Sequence, residues 1–159
     1  MKFMPWCRYI LTLTLVTMLI ACSRDQIIFP PVTDAKVRGY CGTCHMAYQP
    51  SFLPAASWRL IMSSLNEHFD AKVTLKPGML KHITTYHVTH AGDSESAGRA
   101  GRIAMEGLRA DAKPLRITDT PYFKREHNFL ENRILGDWVG SPANCQVCHL
   151  GAWVGDYQT

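Results

Sequence analysis

Apolar residues run without a charged position from Tyr9 to Ile20; beyond that run they recur at helical rather than strand spacing. The first run follows Lys2 and Arg8 and is too short for a comfortable membrane span, which is the arrangement of a signal segment. Ser23 to Pro31 reads as a tether stiffened by Pro30-Pro31. A helix is expected over residues 54–69: Pro54 suits its first turn, and Trp58, Ile61, Leu65 and His68 fall on one face. A second is expected from Pro77 to Ala91, with Leu80, Ile83 and His87 aligned and Gly92 as its stop. Residues 92–116 are rich in Gly, Ala, Ser and Arg and contain no aromatic residue, so they read as a seam holding one short helix near Ala97 to Leu108. Thr120-Pro121 then signals a new helix, Thr as cap and Pro in first position, with Phe123, His127 and Leu130 on its inner face. Gly136, Gly140 and Pro142 mark a loop. No strand of useful length is expected, and the pattern predicts an all-α chain.

Two pentapeptides of one grammar stand at opposite ends of that pattern: Cys41-Gly42-Thr43-Cys44-His45 and Cys145-Gln146-Val147-Cys148-His149. C-x-x-C-H is the attachment signature of c-type haem. Each thiol adds across one vinyl group, and the adjoining histidine reaches the iron from the proximal side. A structural zinc would also use paired cysteines, but 100 residues separate Cys44 from Cys145, and zinc gives no reason for a histidine after both pairs. A redox dithiol would want a strand before Cys41, and none is expected there. The motifs therefore predict two covalent haems, held by Cys41, Cys44, Cys145 and Cys148, with His45 and His149 proximal.

The sixth ligand of each iron decides the chemistry: His or Met closes the site for electron transfer, whereas an open position binds small molecules. His68 and His127 are the leading candidates, because each falls on the apolar face of an expected helix. They are also placed almost symmetrically, His68 lying 23 residues after His45 and His127 lying 22 before His149. The alternative for each is a satisfied core histidine. His87, His90 and Met79 are rivals, and His82 points away from the apolar face.

Leu19-Ile20-Ala21-Cys22 resembles a bacterial lipobox, in which the cysteine becomes the lipidated first residue of the mature chain. The alternative is ordinary cleavage nearby with Cys22 left over. Ser23 stands where an inner-membrane retention signal would place Asp, which favours the outer membrane. Cys7 lies in the segment to be removed. Without residues 1–21 the chain has 138 residues and a formal charge of +2, against +4 for the whole, which is too weak to suggest nucleic acid. The expected organisation is a signal segment (1–21), a tether (22–37), a first haem unit (38–91), a linker (92–116) and a second haem unit (117–159). Arg99, Arg102, Arg109 and Arg116 read equally as partners for haem propionates or an acidic protein face and as a solvated basic loop.

Several further stretches carry a resemblance. Residues 41–50, Leu53-Pro54-Ala55-Ala56-Ser57-Trp58 and His68-Phe69 are similar to the bacterial dihaem cytochrome c family often called DHC. So are residues 116–123, Arg125-Glu126-His127 and residues 143–149; the likeness extends over about 38–156. The resemblance implies a periplasmic, non-enzymatic carrier of single electrons with bis-histidine ligation at both haems. It implies that the N-terminal half is like a class I cytochrome c and the C-terminal half a separate small haem unit. It implies distal ligands at His68 and His127, and no ligand role for His87 or His90. It further implies two partners, a membrane cytochrome b-type donor and an oxygen-binding monohaem cytochrome c as acceptor. The lipobox departs from soluble members. Two other functions stand beside this one: a haem enzyme or gas-binding protein with an open axial site, and a small dihaem subunit of a periplasmic reductase.

Overall fold

The structure is a computed structural model and describes residues 26–130 and 138–158. The expected signal segment, Cys22 and Gly136 lie outside the described residues. Among the described residues the chain is helical, with six helices: α1 (Ala35–Cys41), α2 (Ala55–Ser63), α3 (Pro77–Thr89), α4 (Gly98–Ala104), α5 (Pro121–Glu126) and the single turn α6 (Cys145–Cys148). The only extended pairings among them are two isolated bridges, Ile28 with Asp156 and His68 with Ala71.

Helix starts follow local chemistry. Asp34 caps α1, its Oδ1 accepting from the Lys36 and Val37 amides at 2.8 and 3.0 Å. Its other oxygen meets His82 Nε2 at 2.8 Å, tying α1 to α3. Pro77 opens α3, and Thr120 caps α5 by accepting from Phe123 N, with Pro121 next. In α2 the buried residues Ser57, Trp58, Ile61 and Met62 form one stripe that packs on α3.

The expected helix over 54–69 is shorter than its apolar pattern. It ends at Ser63 because the hydroxyls of Ser63 and Ser64 both donate to the Leu60 carbonyl, at 2.8 and 3.0 Å, and compete with the helical ladder. A 3-10 turn, Leu65–Glu67, follows. Phe69 and Asp70 then take positive φ, 46° and 66°, and reverse the chain.

Two apolar clusters meet at Ile117. One joins Val32, Val37, Leu53, Trp58, Ile61, Met62, Ile83 and Ala91; the other joins Phe29, Phe52, Ala100 and Ala104, with Tyr122 and Tyr157 against it. Two segments expected as connectors thus prove to be core. In the tether, Phe29, Val32 and Val37 are buried. In the seam, the small residues serve close packing: a Cβ on Gly101 would meet Ala97 and the Gly92 carbonyl. Gly155 has φ 82°, and its missing Cβ leaves room for the Phe29 carbonyl, so only glycine fits where the two ends of the described chain cross.

Candidate haem centres

The first motif starts at the last residue of α1. Cys41 is half-buried, and desolvation pushes its thiol up to about 11, while Cys44 is exposed. His45 follows, its Nδ1 donating to the Met46 carbonyl at 2.7 Å and its ring stacked on Tyr48 at 4.7 Å. Facing it is His68, with ring centres 6.2 Å apart. His68 occupies a tight reversal rather than a helix face: Ala71 N donates back to its carbonyl at 3.0 Å. The Arg116 guanidinium lies over the adjoining Phe69 ring, 4.2 Å from its centre, and holds this loop down.

The second motif is one helical turn, which brings Cys145 and Cys148 to the same face. The pattern repeats: Cys145 is half-buried and pushed up to about 11 by desolvation, and Cys148 is exposed. His149 comes next, and His127 faces it with ring centres 5.9 Å apart. His127 caps the C-terminus of α5; its Nδ1 donates to the Phe123 carbonyl at 2.9 Å, and its ring stacks on Phe123 at 4.0 Å. Beside it opens a cleft of about 300 Å³, lined by Thr118, Asp119, Phe123, Lys124, His127, Leu130 and Pro142.

Two imidazoles that share one metal ion, at about 2.0 Å per nitrogen, have ring centres roughly 6 Å apart. Both observed separations match that value. The charged form is disfavoured at one ring of each pair: burial holds His68 below its usual range, with His45 adding to it. His149 is likewise held down by burial and by His127, while the Tyr157 carbonyl and Asp156 pull the other way. Neutral imidazole is the ligating form. Nδ1 of His45 and of His127 is bound to a backbone carbonyl, which fixes the ring and leaves Nε2 for a metal. The residues present therefore fit two metal centres, each with a thiol pair alongside.

The two centres are joined by side chains that sequence spacing did not single out. The Tyr48 hydroxyl donates to the Ala143 carbonyl at 2.8 Å, and Gln49 Nε2 donates to the Ala152 carbonyl at 2.7 Å. The Tyr157 hydroxyl donates to Gln49 Oε1 at 2.6 Å, and the Tyr157 ring meets His149 edge-on at 5.4 Å. Burial drives the Tyr157 phenol far above its ordinary range, so it remains a donor.

The rival ligands have other surroundings. His87 is 2% exposed and donates from Nδ1 to the Ile83 carbonyl at 2.9 Å, its ring 4.5 Å from that of Trp58. His90 packs on Tyr86 at 4.4 Å, and Met79 fills space beside the first apolar cluster. Of the arginines, Arg109 pairs with Asp111 in full solvent and Arg116 covers Phe69.

The dihaem cytochrome c family model matches residues 37–157. Solved structures share the fold. A diheme cytochrome c from Rhodobacter sphaeroides is 38% identical, with a TM-score of 0.69 over 80% of this chain and 98% of its own. A diheme cytochrome type c from Shewanella baltica OS155 is 32% identical, with a TM-score of 0.62 over 78% and 86%. No curated protein matches. With its two C-x-x-C-H motifs inside the matched span, this chain belongs to the dihaem cytochrome c family and carries two covalently bound c-type haems.

Proposed function

We propose that the protein is a one-electron carrier whose two irons are each closed by a pair of histidines. Cys41 and Cys44 hold the first haem, and Cys145 and Cys148 hold the second. His45 and His149 are proximal; His68 and His127 are distal. When bound, each haem supplies a one-electron couple, with a potential below that of a His/Met site because Met raises the potential. The single observation that carries this reading is the pairing of rings at 6.2 and 5.9 Å.

The surrounding side chains serve reversible carriage rather than turnover. Met46 O and Phe123 O fix His45 and His127 as ligands, and Arg116 on Phe69 keeps the His68 loop in place. No mobile acid or base is needed. The Tyr48–Gln49–Tyr157 bonds hold the two motifs in one arrangement, so little reorganises on reduction.

The carrier works in the periplasm, between a quinol-linked membrane cytochrome b-type donor and a monohaem cytochrome c acceptor. Cys22 is lipidated and holds it at the outer membrane. Among the described residues no helix is long and apolar enough to cross a membrane. A redox titration followed by absorption spectra tests the carrier reading. Two reversible one-electron steps, each between low-spin forms, are expected. A ferric high-spin band in the wild type, or turnover with peroxide, would replace it with the open-site reading.

A further inference from the structure

Four exposed apolar side chains lie on two segments that the Ile28–Asp156 bridge brings together. Leu150 is 86% exposed, Trp153 64%, Ile28 44% and Val154 38%. Three of them belong to the loop after the second haem motif. That loop is closed on itself, Ala152 N donating to the His149 carbonyl and Asp156 N to the Gly151 carbonyl, both at 3.0 Å. Ala152 is wholly buried within it, while Leu150 before it and Trp153 after it are exposed. Ile28 is fixed alongside: it bridges Asp156, and Phe29 N donates to the Gly155 carbonyl at 2.9 Å. Phe29 is stacked on Phe52 at 4.4 Å, so the face rests on core rather than on a free end.

Single exposed apolar residues need no explanation. This group differs in its place on the chain. Ile28 is six residues from Cys22, and six extended residues reach at most roughly 20 Å. We propose that Ile28, Leu150, Trp153 and Val154 form a face that docks on the lipid surface in which Cys22 is anchored. The inference rests on lipidation of Cys22, as proposed above. An indole flanked by aliphatic side chains is the composition that partitions into the headgroup boundary. The short tether keeps the face at high effective concentration near lipid, so weak insertion suffices. Residues 149–156 contain no Lys or Arg, and their one carboxylate, Asp156, accepts from Gln158 N at 2.9 Å. Docking is therefore apolar rather than electrostatic. Leu150 adjoins His149, so docking holds the second haem motif at the membrane in a fixed orientation.

The test uses the full-length, lipidated, haem-loaded protein in supported phosphatidylcholine bilayers, read by linear dichroism of the Soret band. The wild type should show a definite dichroism. A double variant, Ile28→Asp with Trp153→Asp, should stay bound in equal amount with an unchanged Soret spectrum and lose most of that dichroism. If the wild type is bound but isotropic, or the variant keeps the signal, the docking face is wrong and the anchor stands. If the wild type does not stay with the bilayer, the anchor is absent and docking falls with it. A signal that appears only after anionic lipid is added would overturn the apolar mode.

Discussion

The Tyr157 hydroxyl donates to Gln49 Oε1 at 2.6 Å, joining a ring that meets His149 edge-on to a buried amide four residues after His45. Gln49 is fully buried and spends its NH2 on the Ala152 carbonyl, so both of its ends are satisfied. Gln49→Leu leaves a buried phenol and a buried carbonyl unpaired and should cost about 2–4 kcal/mol in denaturant unfolding. Tyr157→Phe strands only the amide oxygen and should cost about 1–2 kcal/mol. Equal stability of Gln49→Leu and wild type would show that the bridge does not hold the motifs together.

Gly155→Ala should be among the most damaging single changes outside the motifs. The position has φ 82°, and the new methyl would fall on the Phe29 carbonyl. Backbone strain and the clash together should cost about 3 kcal/mol or more. Thermal unfolding of the haem-loaded protein measures it; a Tm within a degree or so of wild type would contradict the crossing of the two chain ends.

His87 should make the fold acid-sensitive. Burial, the largest cause, pushes it down to about 4, with His90 adding to the shift and the Ile83 carbonyl opposing it. An unfolded histidine titrates near about 6.5. As pH falls through 6.5 the unfolded chain takes the proton first, so the stability present above 6.5 is lost progressively down to about pH 4. The loss is on the order of 3 kcal/mol at most. Denaturation of wild type and His87→Gln at several pH values gives the comparison. Their stability difference should shift with pH over this window, and a constant difference would remove His87 as the cause.

Much of this was legible in the sequence wherever the signal was local. The two C-x-x-C-H motifs, the Pro77 start of α3 and the Thr120-Pro121 start of α5 rest on neighbouring residues, and all three features recur in the structure. Apolar periodicity singles out His68 and His127, and each ring faces the histidine of a C-x-x-C-H motif, His45 or His149. The route to His68 was different, because Ser63 and Ser64 break the helix and a positive-φ pair turns the chain back. Long-range partners were not legible. Phe29 read as tether because its partners, Phe52, Tyr122 and Tyr157, come from three other segments. The small residues of 92–116 read as a seam because close backbone packing and loop composition look alike in one sequence.

Attachment can be checked by mass. The wild type should carry two haem additions. Replacing Cys41 and Cys44 by Ala should leave one, as should replacing Cys145 and Cys148. Each pair should also unfold its own half of the core first, because the haem contributes apolar surface that the side chains lack. Two additions remaining in either double variant would reassign the thiols.

The central claim is that His68 and His127 close the two irons, and electron paramagnetic resonance of the oxidised protein tests it most directly. The wild type should show two low-spin ferric signals and no high-spin signal. His68→Ala should convert one of them to high spin and His127→Ala the other, each leaving its companion unchanged. A high-spin signal in the wild type, or two low-spin signals surviving in either variant, would contradict the account.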